Sequence, residues 1–361
     1  MEKVIFYGPL GRENSKVVGG GESGNLKTIS VLEKSGYTVL QFRKPYPSKN
    51  IVGKITHILH LSFMPLFLLV KMLKNNDVKI VHISGFYEQL IFKELFCICI
   101  IKLLNKKCIY ELRAGGVKKA YENRTSIYRF LFRKAIIISD MVMVQGERYV
   151  NLLEGLGAKK VVHYPNYILG NVIPRKTNIL EENELIELVY FGRMSPTKNV
   201  LFTLDICIDL KSKKIPFKLE LIGEGPLDYI NLIKEKINKE KLSDCVKLSP
   251  PLFGDDLVDR LKGKHFFIFP TEEPREGHSN SLTEAMSLGI IPICSNYGFN
   301  REIVNSDSLI LNEFDVKLYS NLIIDIWEKN DWTKFSKDMQ DIVASKFTSS
   351  IVQSKLLSAY K

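Results

Sequence analysis

Residues 266–295, FFIFPTEEPREGHSNSLTEAMSLGIIPICS, contain two apolar runs separated by a polar loop and a short amphipathic stretch. The apolar runs predict buried strands at residues 266–270 and 290–295, and the stretch between them predicts a helix at residues 279–288. Buried strands on either side of a helix are typical of a parallel sheet that is covered on both faces. This segment therefore predicts an α/β fold.

The polar loop and the start of the helix predict a binding site for an anion. Residues 277–281 are small or polar, which leaves the first amide N–H groups of the helix exposed. These groups and the helix dipole favour a phosphate, and open α/β sheets bind ligands at the carboxyl ends of their strands. Glu276 lies in the loop, and Glu284, eight positions later, is expected in the first helical turn facing the same ligand. For two glutamates taken alone, an acidic surface loop with a helix-capping residue is the alternative.

The charge of the chain is divided unevenly. The 361 residues are enough for two domains, and 45% hydrophobic with 25% charged residues is typical of a globular protein. Residues 1–180 hold 28 Lys/Arg and 12 Asp/Glu, whereas residues 181–361 hold 23 and 28. This asymmetry favours two domains with different partners, and the basic half could meet nucleic acid, anionic lipid or a phosphate-bearing substrate. No nucleic-acid partner is expected, because no RNA- or DNA-binding motif is present.

Cysteine usage and hydropathy predict a cytoplasmic protein. The six cysteines form neither a disulfide framework nor a repeated metal-ligand spacing, which fits a reducing compartment. The chain opens directly on a predicted strand, so no signal peptide is expected. The longest apolar run, residues 58–70, includes His60 and Pro65 and is expected to be too short to span a bilayer.

The first half alternates strands and helices, which predicts a Rossmann-like domain. The predicted strands are residues 4–8, 38–42, 80–84, 107–113, 141–145 and 161–164, and the predicted helices are residues 25–35, 55–74, 89–105 and 126–138, with one more after Gly146. Glycines at residues 19–24 are expected in the loop before the first helix, where backbone approaches a ligand closely or where the loop is mobile.

Two basic features follow in the first half. Arg113 comes after the fourth strand and could contact a sugar or a phosphate, or pair with Glu111. Residues 118–134 then form a dense basic stretch, which suits either a solvated helix face or docking against an anionic bilayer.

The second half opens on a predicted strand at residues 185–191, after a linker at about residues 165–183. Residues 192–199, GRMSPTKN, place Arg193 and Lys198 five apart in a loop that leads into a helix. Such a pair could grip one polyphosphate, the alternative being two solvated charges. Further strands are predicted at residues 217–222, 245–248 and 308–311, and further helices at residues 316–328, 333–344 and 349–360.

The spacing of Glu276 and Glu284, the Glu-Ala-Met run before Pro292 and the Gly-Arg…Lys-Asn loop resemble glycosyltransferase family 4. The resemblance covers the whole second domain, but over the first domain it comprises mainly the glycine loop and the order of elements. It implies an α/β GT-B fold, with two Rossmann-like domains facing across a cleft. Residues 1–170 would form the acceptor domain, residues 171–345 the donor domain, and residues 346–361 a C-terminal helix that crosses back to the first domain.

The resemblance also implies roles for particular residues. Arg193, Lys198 and the first amides of the helix would stabilise a diphosphate, Glu284 would hold the ribose, and Glu276 would contact the donor sugar at its cationic centre. Many relatives carry a histidine near Arg113, and because this chain does not, no histidine role is carried over. The catalytic residues would be Glu276, Arg193 and Lys198, and the donor-binding residues Gly20, Gly21, Arg113, Gly223, Gly225, Gly277, Ser279, Asn280, Ser281, Leu282 and Glu284.

The expected activity is retaining transfer of a sugar from a UDP- or GDP-sugar to a saccharide acceptor in bacterial surface polysaccharide biosynthesis. The acceptor is expected on a lipid such as undecaprenyl diphosphate, with the enzyme held peripherally on the anionic inner face of the cytoplasmic membrane. No metal and no cofactor are expected, because the sequence has no Asp-x-Asp pair and the basic loop would supply the positive charge. The alternatives are a GT-B nucleotide-sugar 2-epimerase and a non-catalytic nucleotide-sugar-binding partner of an assembly complex.

Overall fold

A computed structural model describes residues 2–11, 20–44, 51–85, 90–113, 115–170, 172 and 185–361. The chain divides into two compact units, the first formed by Met1–Asn166 with Val352–Lys361 and the second by Tyr167–Ile351. Within these described ranges, each unit contains one parallel sheet of six strands with helices packed against it. The predicted α/β class is confirmed.

The sheet of the first unit has the strand order β2-β1-β3-β4-β5-β6. The four inner strands are largely buried, because helices cover both faces of a parallel sheet, whereas the edge strands β2 and β6 are half-buried. The strands are β1 Lys3–Gly8, β2 Thr38–Arg43, β3 Val78–Gly85, β4 Lys107–Leu112, β5 Met141–Val144 and β6 Val161–His163. The helices are α1 Gly20–Lys34, α2 Ile51–Lys74, α3 Ile91–Leu103, α4 Val117–Asn123, α5 Ser126–Ile138 and α6 Arg148–Gly155.

Helix α1 begins earlier than the sequence predicts. Gly20, Gly21 and Gly24 lie in its first turns and not in a loop, so that expectation is wrong, and Gly19 lies outside the described residues. Gly24 has a packing reason to be glycine, since a Cβ there would overlap the guanidinium group of Arg113. The glycines therefore bring the start of a helix, and not a loop, close to the end of β4.

Helix α2 is longer than the apolar run at residues 58–70, which the sequence analysis expects to be too short to span a bilayer. It includes Pro65 and extends over 24 residues, which corresponds to about 36 Å at 1.5 Å per residue. By length and composition it could cross a membrane, so the expectation that this segment is too short does not hold for the whole helix. Length and composition are weak indications by themselves, because core helices meet the same criterion.

The sheet of the second unit has the strand order β12-β11-β10-β7-β8-β9. Strands β7 and β10 are neighbours at its centre, so the loops that follow them start at the same edge. The strands are β7 Ile186–Phe191, β8 Phe217–Ile222, β9 Val246–Ser249, β10 Phe266–Phe269, β11 Ile291–Ser295 and β12 Ile310–Leu311. The helices are α7 Val200–Ser212, α8 Leu227–Lys239, α9 Gly254–Leu261, α10 Asn280–Ser287, α11 Asn300–Val304, α12 Val316–Glu328 and α13 Trp332–Lys346.

The last helix, α14 Ser349–Tyr360, ends in the first unit. The Tyr360 hydroxyl donates to Nδ1 of the buried His82 at 2.5 Å, and Nε2 of the same ring donates to Glu111 at 3.1 Å. Burial, with the nearby Glu111 carboxylate, raises the pKa of Tyr360 well above its ordinary value, so the phenol keeps its proton. Both nitrogens of a fully buried imidazole thus have partners, one of them supplied by the end of the chain.

We expect Tyr360→Phe to destabilise the first unit by about 1–3 kcal/mol, because it leaves a buried ring nitrogen without its donor. Tyr121→Phe, at a half-buried tyrosine of the same unit, is the control and should have little effect. The measurement is hydrogen exchange of the β3 amides in increasing urea, which reports on the first unit separately. Equal protection in Tyr360→Phe and wild type would show that this hydrogen bond does not stabilise the unit.

Candidate active site

Two loops that follow the central strands of the second sheet are linked to each other by hydrogen bonds. The loop after β7 is residues 192–199, and the loop after β10 is residues 270–279. The backbone N–H of Glu272 donates to the carbonyl of Thr197 at 2.8 Å, and the Asn199 side chain donates to the Glu272 carboxylate at 2.6 Å. The two loops therefore hold each other in place at the carboxyl ends of β7 and β10, where α/β sheets bind ligands.

Lys198 and Glu276 form an ion pair between these two loops. The side chains are 13% and 10% exposed, and Nζ of Lys198 donates to Oε2 of Glu276. The hydroxyl of the buried Thr271 donates to the same oxygen at 3.3 Å, and Nζ lies 5.0 Å from the centre of the Phe269 ring. An ion pair so little exposed is screened by water much less than a surface pair. The two residues predicted to meet a phosphate and a sugar thus pair with each other.

Arg193 has a different setting from Lys198. Its side chain is exposed, and across the described ranges no carboxylate lies within ion-pair distance of it. Its backbone carbonyl accepts a hydrogen bond from the Tyr190 hydroxyl at 2.7 Å, which fixes the loop at that point. The structure brings Arg193 and Lys198 into one loop but pairs only Lys198, so their joint grip on a diphosphate stays a prediction.

The start of α10 leaves two amide groups for an anion. Ser279 caps the helix, and its hydroxyl accepts from the N–H of Leu282 at 3.3 Å, so that amide is occupied. The N–H groups of Asn280 and Ser281 have no acceptor among the residues that the structure describes. Glu284 is half-buried and is the fifth residue of the helix, so its expected place in the first turn is wrong.

The glycines after β8 pack one loop against another. A Cβ at Gly223 would overlap the carbonyl oxygen of Gly192, and a Cβ at Gly225 would overlap that of Met194. The Met194 N–H also donates to the Glu224 carbonyl at 2.7 Å. These glycines support the loop that carries Arg193, and their predicted contact with a nucleotide stays a prediction.

Two residues that position Glu276 were missed from the sequence. Thr271 lies directly after β10, where its hydroxyl contacts Glu276 and its carbonyl accepts from the Ser295 hydroxyl at 2.6 Å. Gly298 has φ +55°, and a Cβ there would overlap the backbone of Glu276. The half-buried Gly277 follows directly. A threonine at the carboxyl end of a central strand is the signal that could have been used.

In the first unit, Arg113 pairs with Glu111 at 2.8 Å and is 7% exposed. Its guanidinium also donates to the Thr28 hydroxyl at 3.0 Å. Burial raises the pKa of Glu111, but Arg113 and His82 outweigh it, and the net pKa is below the ordinary value. Of the two interpretations of Arg113, the structure contains the pairing with Glu111.

The other predicted residues of the first unit, Gly20 and Gly21, are exposed at the start of α1. A Cβ at Gly21 would have no neighbour within 4 Å, so nothing in the described packing requires glycine at this position. No group of three His, Cys, Asp or Glu side chains suited to a metal ion occurs within the described ranges.

Comparisons with known proteins point to the same region of the chain. Residues 173–343 match the family described as "Glycosyl transferases group 1", and this segment includes every predicted site residue of the second unit. A "Capsular polysaccharide biosynthesis glycosyltransferase CapH" of Staphylococcus aureus is 27% identical over 249 residues. The match covers 66% of this chain and 65% of that relative, slightly less than two thirds of its length.

Solved structures of low sequence identity share the whole fold. Anabaena Alr3699/HepE in complex with UDP is 14% identical with a TM-score of 0.72, over 100% of this chain and 99% of that one. A glycosyltransferase from Rickettsia africae ESF-5 is 16% identical with a TM-score of 0.74, over 100% and 98%. The apo form of the lipopolysaccharide outer core galactosyltransferase WaaB is 13% identical with a TM-score of 0.68, over 99% of both chains. The two-domain GT-B fold is confirmed, and with the family match it supports a glycosyltransferase.

We expect Lys198→Met to lower the free energy of unfolding of the second unit by about 2 kcal/mol, because it leaves the Glu276 carboxylate little exposed and unpaired. Arg193→Met, which removes an exposed cation from the same loop, should change it by less than about 0.5 kcal/mol. Combining Lys198→Met with Glu276→Gln should restore most of the loss. The measurement is urea unfolding of all four proteins without ligand, followed by exchange of the β10 amides. Equal losses for Lys198→Met and Arg193→Met would contradict the ion pair.

Proposed function

We propose that this protein is a retaining glycosyltransferase of family 4 that transfers a sugar from a nucleoside diphosphate sugar to a saccharide acceptor. The observation that carries the proposal is the Lys198–Glu276 ion pair, together with the amides of Asn280 and Ser281 at the start of α10, which have no acceptor among the described residues. It lies at the carboxyl ends of β7 and β10, inside the segment that matches glycosyl transferases group 1.

The donor is proposed to be a UDP- or GDP-sugar, with a hexose as the transferred group. Structures of Anabaena Alr3699/HepE contain UDP, glucose or UDP-glucose, which favours uridine. The diphosphate would accept hydrogen bonds from the amides of Asn280 and Ser281, and Lys198 and Arg193 would balance its charge. Ligand binding would then draw Lys198 from Glu276 towards the phosphate and leave the carboxylate to meet the sugar.

The chemistry requires opposite charges at two places. When the bond from the anomeric carbon to the diphosphate oxygen breaks, its electron pair stays on the diphosphate and positive charge develops on the sugar. Lys198 and Arg193 would stabilise the leaving group, and Glu276 would stabilise the cationic carbon. Thr271 and Gly298 hold Glu276 in place for that task. No metal ion or cofactor is proposed, because these cations supply the charge that a metal would provide.

The acceptor is proposed to be a lipid-linked saccharide, on a carrier such as undecaprenyl diphosphate, in bacterial surface polysaccharide biosynthesis. The capsular polysaccharide glycosyltransferase CapH and the lipopolysaccharide galactosyltransferase WaaB support this class of product. Transfer would take place on the cytoplasmic face of the membrane, where the basic first unit would meet anionic lipid.

The test is release of nucleoside diphosphate from a panel of UDP- and GDP-sugars, with and without membrane extract as a source of acceptor, in the presence of EDTA. We expect acceptor-dependent release from one donor. Arg193→Ala and Lys198→Ala should each lower kcat about 30- to 1,000-fold, because charge-assisted contacts to the leaving group are worth roughly 2–4 kcal/mol. Glu276→Gln should abolish transfer, with affinity for the nucleoside diphosphate changed by only a few fold.

Lys262→Ala, at an exposed lysine paired with Asp259, is the matched control and should keep wild-type kinetics. Interconversion of nucleotide sugars without an acceptor would indicate an epimerase instead, and binding without turnover would indicate a non-catalytic protein. Loss of release in EDTA that magnesium restores would contradict the metal-independent mechanism.

A further inference from the structure

The outer face of α2 is largely apolar, and its exposed polar residues are Lys54, Thr56, Ser62 and Lys74. Its inner face packs on the first unit through Met64, Leu68 and Met72, which are all buried. The exposed face of a surface helix in a soluble protein is normally polar, so many large apolar side chains on such a face are unusual. The large apolar side chains that are at least 41% exposed on this one helix are Ile51, Val52, Ile55, Ile58, Leu59, Phe63, Leu66, Phe67, Val70 and Leu73.

The exposed apolar surface continues onto two further helices. Helix α3 packs against both α2 and α5, so the three helices lie side by side on one face of the sheet. Phe92 and Phe96 of α3 are 58% and 60% exposed, and Ile127 and Phe130 of α5 are 66% and 59% exposed. Together these residues and the outer face of α2 form what we term the apolar face. Large exposed apolar patches mark binding sites for protein or membrane.

The charges on the same helices select an anionic partner. Helices α2, α3 and α5 contain eight Lys or Arg residues and one acidic residue, Glu94, which is buried and accepts a hydrogen bond from Tyr110. Lys102 is ion-paired with Asp140, and none of the other seven cations has an ion pair within the described ranges. A symmetric dimer through this face would bring like charges together, whereas a bilayer with anionic headgroups complements both the charge and the apolar surface.

The topology decides how α2 would meet a bilayer. It connects β2 to β3, and both strands pair with β1 in the same sheet. Spanning the membrane would require α2 to leave the sheet it connects and to expose Met64, Leu68 and Met72. A helix tied to the protein along one face can instead lie in the plane of the interface.

We propose that the apolar face inserts into the headgroup–acyl boundary of an anionic bilayer with α2 lying in the plane, and that apolar contact holds it there with basic residues assisting. This proposal specifies how the protein would contact the membrane named in the proposed function. It rests on the proposed function only for the reason why the protein would be at a membrane. It differs from the peripheral electrostatic docking that the basic stretch at residues 118–134 suggests, because apolar insertion persists in salt.

The test compares two matched double variants of the full chain. Leu59→Glu with Leu66→Glu changes two leucines of α2 that are 52% and 50% exposed, and Leu232→Glu with Leu318→Glu changes two leucines of the second unit that are 50% and 44% exposed. Both pairs add the same charge at exposed positions, so both variants should fold, which circular dichroism checks. Binding is measured by co-sedimentation with vesicles of phosphatidylcholine alone and of phosphatidylcholine with one quarter phosphatidylglycerol, at 0.1 M and 0.5 M NaCl.

We expect wild type and the second-unit variant to bind the anionic vesicles at least 10-fold more tightly than neutral ones, and to keep more than half of the bound fraction in 0.5 M NaCl. The α2 variant should partition at least 10-fold more weakly. The proposal is overturned if wild type does not bind, if 0.5 M NaCl releases it completely, or if the α2 variant binds as well as wild type. A wild-type dimer that the α2 variant dissociates would instead assign the face to a second copy. UDP and GDP binding are measured in parallel, and the absence of both with vesicle binding intact would contradict the proposed function alone.

Discussion

The Lys198–Glu276 ion pair is the interaction on which the candidate site depends. Each residue comes from a different loop, and the pair exists because β7 and β10 are neighbours in the second sheet. Thr271 supplies a second donor to the carboxylate, and the glycines at residues 223, 225 and 298 let three backbone segments approach closely enough to fix it. When one partner of a little-exposed ion pair is removed, the charge that remains is both poorly solvated and unpaired, which is energetically unfavourable. A polyanion that competes for Lys198 therefore changes the environment of Glu276 directly.

The first unit uses buried charge differently. Arg113, Glu111, His82 and Tyr360 form a continuous chain of contacts from the end of β4 to the end of the polypeptide. Each of these four side chains contacts another member of the set, which indicates a structural role. Part of the excess of basic residues in the first half lies on one group of helices. Eight Lys or Arg residues are on α2, α3 and α5, the three helices that also present exposed apolar side chains. A donor site in one unit and a lipid-facing surface in the other would account for the charge asymmetry.

Much of the fold could be predicted from the sequence, because apolar periodicity reports burial. The bounds of α5, α12, α14 and β8 agree with the prediction, and the other predicted strands differ by one or two residues at one or both ends. Helices α4, α8, α9 and α11 were not predicted; charged residues obscure the apolar positions of the first three, and α11 has only five residues. The start of α1 was misplaced because glycines normally disfavour a helix, and the packing of Gly24 on Arg113 is a long-range contact that no local pattern reveals. For the same reason, Lys198 and Glu276 could be predicted as site residues from the sequence, but their ion pair and the contact of Thr271 with Glu276 could not.

The most direct measurement of the central claim is a crystal structure of the protein with a bound nucleoside diphosphate, compared with the ligand-free crystal. We expect the diphosphate at the amides of Asn280 and Ser281, with Nζ of Lys198 within hydrogen-bond distance of a phosphate oxygen and displaced from Glu276. A diphosphate bound elsewhere, or one bound at α10 while the Lys198–Glu276 ion pair stays unchanged, would contradict it.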